Sequence, residues 1–194
     1  MGEAAAAGKN IITMEINIQP VLENERALLV PLQTSDFDSL YAVASDPKIW
    51  EQHPNKNRWQ EPVFKTFFEG AMQSGGAFKV IDKATGTIAG CTRFYDYNTA
   101  DKSILIGYTF YAAHFWGSGI NPSVKALMLD YIFQFVDQVY FHIGAFNLRS
   151  QIAIERTGAL KIKEEVVAYH GEAGKLNFVY SISRRDWEKR KTTC

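Results

Sequence analysis

Sulfur and net charge are both scarce. Only two cysteines occur, Cys91 and Cys194, and no Cys/His spacing matches a metal-binding framework, so neither a disulfide scaffold nor a metal site is expected. Lysine plus arginine and aspartate plus glutamate number 21 each, and nothing in that balance argues for a nucleic acid or another polyanion as a partner. No apolar run reaches the length of a membrane span, and the start lacks the pattern of a signal peptide. Ala6 stands where a myristoylation motif needs Ser or Thr after Gly2. Internal repeats and low-complexity linkers are also missing. These absences describe a soluble, cytoplasmic protein without membrane, nucleic-acid or metal partners. They leave the oligomeric state open, a homodimer included.

What is present is ordinary for a globular fold. The chain has 194 residues, 46% hydrophobic and 22% charged, enough for one domain with a sizeable core. Residues 1–24 are expected as a flexible lead, 25–188 as the domain and 189–194 as a tail. Ala27 to Leu32 reads as a strand, and Thr34 or Ser35 as the cap of a helix through Phe37, Leu40, Tyr41 and Ala44. Pro62 opens a second helix stopped at Gly75-Gly76. Strands follow at Ala77 to Ile81, Thr87 to Tyr97 and Ile104 to Tyr111, then a helix, a strand at Val139 to Ala145, and a helix capped by Asn147 and stopped at Gly158. A last hairpin joins Ala159 to Ala168 with Leu176 to Ser183 around His170-Gly171-Glu172-Ala173-Gly174. The order mixes an antiparallel meander with βαβ crossovers. It predicts an α/β (α+β) fold with a single mixed sheet flanked by helices.

One stretch, Ser103 to Val136, organises the rest: an apolar strand, the loop Trp116-Gly117-Ser118-Gly119-Ile120, and an amphipathic helix. Asn121 is read as the helix N-cap and Pro122 as its first residue. Val124, Leu127, Met128, Tyr131, Ile132 and Phe135 form one face of a 3.6-residue period, so the helix packs on the sheet. A two-glycine loop at a helix N-terminus lets free amides and the positive end of the helix dipole converge on an anion such as a pyrophosphate. The bland alternative is a tight turn that binds nothing. A P-loop is disfavoured because no Gly-Lys-Ser/Thr follows, and Val124 stands where the dinucleotide fingerprint has its third glycine.

The run resembles the signature of the GCN5-related N-acetyltransferases, a Gln/Arg-x-x-Gly-x-Gly/Ala loop that binds the pyrophosphate of acetyl-CoA. Trp116 stands at the Gln/Arg position, Gly119 at the glycine and Asn121 at the Gly/Ala. Asn147 to Ala159 is similar to the Asn-x-x-Ser…Ala-Ile-(x)3-Gly-Ala/Phe segment of the same superfamily. The Trp-Gly-x-Gly flavour and the preceding Ile-Gly-Tyr resemble its branch that acetylates alanine N-termini of ribosomal proteins. The resemblance covers residues 25–188 and implies an N-acetyltransferase domain with acetyl-CoA as co-substrate. It implies Phe110, Tyr111 and Ala112 along the pantetheine and acetyl group, with Trp116, Gly117, Ser118, Gly119, Ile120 and Asn121 around the pyrophosphate. Asn147 would bond the cofactor arm, and Ser150 would lie near the thiol as a general acid. Each also has a plain reading as a helix cap or a first-turn serine.

Acetyl transfer requires an unprotonated amine, whereas free amines titrate near roughly 8 (α-amine) to 10 (lysine). A proton acceptor is therefore needed. Relatives carry a glutamate on the strand before Gly107-Tyr108, where this chain has Leu105. Tyr108, Tyr95, Tyr97, His53 and Glu164 remain as candidates, while His142 reads as a satisfied strand histidine. No activated nucleophile is in view, so direct transfer in a ternary complex is expected. The family builds its acceptor site from the first helix-loop-helix and the last hairpin, which makes Trp50, His53, Trp59, Tyr95 and Tyr169 the substrate-binding candidates. The acceptor is expected to be a primary amine, either a protein N-terminus or a small molecule. Two other readings stand beside this one: a non-catalytic acyl-CoA-binding or sensor domain, and a structural domain whose glycine loop is only a turn.

Overall fold

The structure is a computed structural model that describes residues 16–168 and 173–193. Eight strands form one sheet in the order β1-β2-β3-β4-β5-β6-β8-β7. They are β1 (Leu22–Glu23), β2 (Ala27–Pro31), β3 (Ala77–Asp82), β4 (Thr87–Asn98), β5 (Ser103–Tyr111), β6 (Gln138–Gly144), β7 (Leu160–Val167) and β8 (Lys175–Ser183). The helices are α1 (Phe37–Ala44), α2 (Glu61–Ser74), α3 (Ile120–Ile132), α4 (Leu148–Glu155) and α5 (Arg184–Thr193). Every neighbouring pair is antiparallel except β5 with β6, which is parallel and joined by the α3 crossover. The expected mixed sheet flanked by helices is therefore what the chain forms.

The sheet is covered on both faces. On one, α3 lays Ile120, Val124, Met128, Leu129 and Ile132 against Ile104, Ile106, Val139 and Phe141, with Ile154 of α4 and Trp187 of α5 joining the cluster. On the other, α1 and α2 bury Leu40, Phe64, Phe67 and Phe68 against Cys91 and Phe110. Strand alternation sends Phe110 to the second cluster and Tyr111 to the first.

Some local readings change. The first helix is entered from Gln33 through a 3₁₀ turn, and the Asp36 carboxylate accepts the Gln33 amide at 2.9 Å, so neither Thr34 nor Ser35 caps it. The short β1 and the helix α5 add to the predicted order. The basic run that ends the chain forms α5: Lys191 pairs with Asp130 at 2.8 Å, and Trp187 donates to the same carboxylate at 2.8 Å. The loop between β7 and β8 carries Tyr169, His170, Gly171 and Glu172, which lie outside the described residues, as do residues 1–15 and Cys194.

Candidate active site

The site begins where two strands part. β5 and β6 pair over Ser103–Leu105 and Gln138–Tyr140 and no further. Beyond Leu105 their edges line a cleft of about 530 Å³. A bulge in β5 sits beside this opening. Cys91 pairs with Phe110 and Arg93 with Gly107, which leaves Thr92 facing both Tyr108 and Thr109. Tyr108 takes up the extra residue with φ +52°, an uncommon conformation for a side-chain-bearing residue, and such a bulge bends its strand. The Tyr108 ring is clamped between the Arg93 guanidinium, 3.8 Å from its centroid, and Tyr95, 5.0 Å away centroid to centroid.

The glycine loop closes one end of the cleft. Gly119, at φ +87°, is the N-cap of α3, and the helix starts at Ile120. Asn121 and Pro122 are thus its second and third residues, which corrects the reading of Asn121 as cap. A left-handed glycine turns the chain into the helix, and Pro122 still falls where no amide partner is needed. Among the described residues the amides of Gly117, Gly119 and Asn121 have no acceptor, whereas Ser118 donates to Phe115 O and Ile120 to Ser118 Oγ. A Cβ at Gly117 or Gly119 would meet nothing within 4 Å. The need for glycine at these positions is conformational. Three free amides at the positive end of a helix make a fitting cradle for a diphosphate.

At the mouth, Trp116 donates its Nε1 hydrogen to Tyr111 O at 3.2 Å and lies under the Arg149 guanidinium, 3.9 Å from its ring centroid. Asn147 caps α4, its Oδ1 accepting the Ser150 amide at 3.3 Å, and Asn147, Arg149 and Ser150 all line the cleft. No Asp or Glu lines it among the described residues, whereas Arg58, Lys125, Arg149 and Arg156 do. An anionic cofactor meets cations along this wall and no opposing carboxylate.

On the acceptor side, Trp50, His53, Tyr95 and Tyr108 line the cleft together with Gly107 and Phe110. The Asn55 amide donates to His53 Nδ1 at 2.9 Å, and Arg58 Nη1 stands 3.2 Å from Nε2. Burial, and then Arg58, hold its pKa well below the ordinary histidine value. Its lone pair is already used. Several expected residues lie elsewhere. Trp59 and Tyr97 are part of the exposed surface away from the cleft, and Glu164 pairs with Lys161 on β7. Ile120 is buried in the core, Ser118 turns its hydroxyl to Phe115 O, and the Ala112 amide is bound to Ala89 O. Tyr169 lies outside the described residues.

Two cleft residues were given no functional role from the sequence. Lys125, 3% exposed, points from α3 to the bulge and donates to Thr109 Oγ1 at 2.8 Å and Thr92 Oγ1 at 3.3 Å. Burial pushes its pKa down to about 7. His142 of β6 has a buried Nδ1 with no hydrogen-bond partner among the described residues, so there it is not the satisfied histidine expected. Among the described residues no group of three His, Cys, Asp or Glu could hold a metal, and no helix is long and apolar enough to cross a membrane.

No curated protein matches the chain. Solved structures do. A GCN5-related N-acetyltransferase from Brucella melitensis is 20% identical with a TM-score of 0.76, the match covering 90% of this chain and 83% of that one. Spermidine N-acetyltransferase from Vibrio cholerae, solved with CoA and spermine, is 16% identical with a TM-score of 0.65, over 85% of this chain and 99% of that one. At such identities the likeness establishes the fold. The family profile described as an acetyltransferase (GNAT) domain matches residues 26–160. The parted strands and the amide cradle at Gly119 thus belong to a chain that is a member of the GNAT acetyltransferase family, an acetyl-CoA-dependent N-acetyltransferase.

Proposed function

We propose that this enzyme carries the acetyl group of acetyl-CoA to a primary amine, a protein N-terminus or a small monoamine, by direct attack in a ternary complex in the cytoplasm. One observation carries the reading: the β5–β6 ladder stops after Leu105 and Tyr140, and three unpartnered amides stand at the loop beside that gap. The diphosphate then rests on Gly117, Gly119 and Asn121, and the thioester arm lies in the gap, reaching the bulge at Tyr108. Asn147 and Ser150 flank the arm from α4. A strand amide freed from the ladder by the bulge supplies the donor for the developing oxyanion.

Charge narrows the acceptor. The Vibrio cholerae relative is a spermidine N-acetyltransferase. A polyamine carries several charges that need carboxylates, and the described cleft wall has none. The lining residues Phe110, Tyr95 and Tyr108 instead make an aromatic wall suited to a peptide terminus or an apolar amine. The test is thiol release from acetyl-CoA with an alanyl peptide, a seryl peptide, benzylamine and spermidine, alongside the rise in melting temperature on adding acetyl-CoA alone. A melting rise with turnover of a peptide or benzylamine supports the reading. A melting rise with turnover of spermidine alone overturns the acceptor class. No shift and no thiol overturn the whole of it.

A further inference from the structure

Among the described residues no carboxylate lines the cleft to take a proton from the acceptor, and His53 has its lone pair occupied within its own loop, Nδ1 accepting from the Asn55 amide at 2.9 Å. One other imidazole among the described residues lines the cleft, that of His142. Val139, Phe141 and Ile143 of β6 point into the core under α3, so Tyr140 and His142 face the opposite side of the sheet. That side is where the acceptor loop sits. A Cβ built on Gly144, two residues along and on the same face, would come within 2.3 Å of Pro54 Cγ in the loop that carries His53. His142 also lies two residues past Tyr140, the last rung of the β5–β6 ladder, and so at the opening of the gap.

We infer that His142 is the general base of the transfer, the group that accepts a proton from the acceptor ammonium at the parted end of β5 and β6. The inference rests on the proposed acetyl transfer. The orphaned Nδ1 supports it. A purely structural histidine at this burial would satisfy both ring nitrogens, and a buried nitrogen without a partner calls for an explanation. Charged groups bear on the ring from two strands. Glu165 of β7 and Asp96 of β4 favour the imidazolium and Lys163 of β7 opposes it, while burial outweighs them and holds the pKa below the ordinary value. Arg58 and Arg149 also line the cleft. The resting ring is therefore neutral at neutral pH, as a base must be.

The acceptor R–NH3⁺ gives one proton to His142 and becomes R–NH2, whose lone pair forms the C–N bond at the thioester carbonyl. The C–S bond then breaks with its electron pair on sulfur, and the remaining ammonium proton of the adduct passes to that thiolate. His142 returns its proton to solvent, leaving R–NH–COCH3, CoA–SH and one proton.

The experiment compares wild type with His142→Asn and His142→Gln on two acceptors, an alanyl peptide and methoxyamine. Methoxyamine is unprotonated at neutral pH and needs no base. Removing the base is expected to lower kcat for the peptide about a hundredfold or more. Rates with methoxyamine should stay within about threefold, and the acetyl-CoA-induced melting shift should not change. The acid limb of the wild-type peptide profile, below the ordinary histidine pKa, should give way in both variants to one set by the acceptor α-amine itself, near roughly 8. Equal losses on both acceptors, or no loss on either, would overturn the assignment. A wild-type protein that shows no acetyl-CoA melting shift would instead sink the transfer reading itself.

Discussion

The ammonium of Lys125 lies 2.8 Å from Thr109 Oγ1 and 3.3 Å from Thr92 Oγ1, on the two strands that lose register at the bulge. It is buried, and among the described residues no carboxylate pairs with it. Its folded pKa is pushed to about 7 from 10.5, which sets the sign of a pH effect. Below about pH 7 the folded chain carries the charge it disfavours, and the cost is complete. As pH rises from about 7 towards the unfolded value, the folded chain sheds a proton that the unfolded chain keeps, and stability climbs. At about 1.4 kcal/mol per pH unit the scale is roughly 5 kcal/mol, offset by about 1 kcal/mol for each hydroxyl bond. Lys125→Met, close in volume, should gain roughly 2–4 kcal/mol at pH 6 and lose the climb. Urea titrations at pH 6 and 9 check this, and a wild-type stability that stays flat between them would show that the folded amine keeps its proton throughout.

Gly119 separates conformation from bulk. Its φ of +87° suits glycine, yet a Cβ there would meet open space. Gly119→Ala should therefore cost about 1 kcal/mol in stability through the backbone alone. Gly119→Glu should cost a similar amount and also weaken acetyl-CoA binding at least tenfold, through repulsion of the diphosphate. Thermal melts with and without acetyl-CoA distinguish the two effects. Equal affinity in both variants would remove the diphosphate from this loop.

The stack of Arg149 on Trp116 joins α4 to the glycine loop across the mouth of the cleft. A double-mutant cycle of Trp116→Ala and Arg149→Ala should return a coupling of about 0.5–1 kcal/mol in chemical denaturation. Additive effects would mean that the contact does not contribute in solution.

Asn147 is expected to do two things at once. As the cap of α4 it contributes about 1 kcal/mol, which Asn147→Ala removes and Asn147→Asp keeps. If its amide also holds the cofactor arm, Asn147→Asp should raise the KM for acetyl-CoA while melting as wild type does. An unaltered KM in that variant would leave the residue a cap alone.

Much of the fold could be read from periodicity and punctuation. The stripe from Val124 to Ile132 packs as expected, Gly75 ends α2 in the left-handed conformation, and Asn147 caps α4. Asn121 misled because Asn-Pro resembles a cap followed by a first turn. The helix opens earlier, since a left-handed glycine can turn the chain without a side-chain acceptor. Lys125 was legible in principle, standing three residues before Met128 and seven before Ile132 on the apolar face. A single charged residue in such a stripe is a signal that hydrophobic counting passes over. His142 was not legible. Alternation gives its face of the strand, but whether that face is covered depends on where β5 leaves β6. A register shift at Tyr108 reaches across strands and leaves no local pattern.

Titration calorimetry of acetyl-CoA into the wild-type chain and into Gly119→Glu tests the central claim most directly. One molecule of acetyl-CoA should bind per wild-type chain and be displaced by free CoA, with the heat lost or weakened at least tenfold in the variant. A wild-type chain that takes up no acetyl-CoA, or one that binds it equally well with glutamate at this position, would contradict the account.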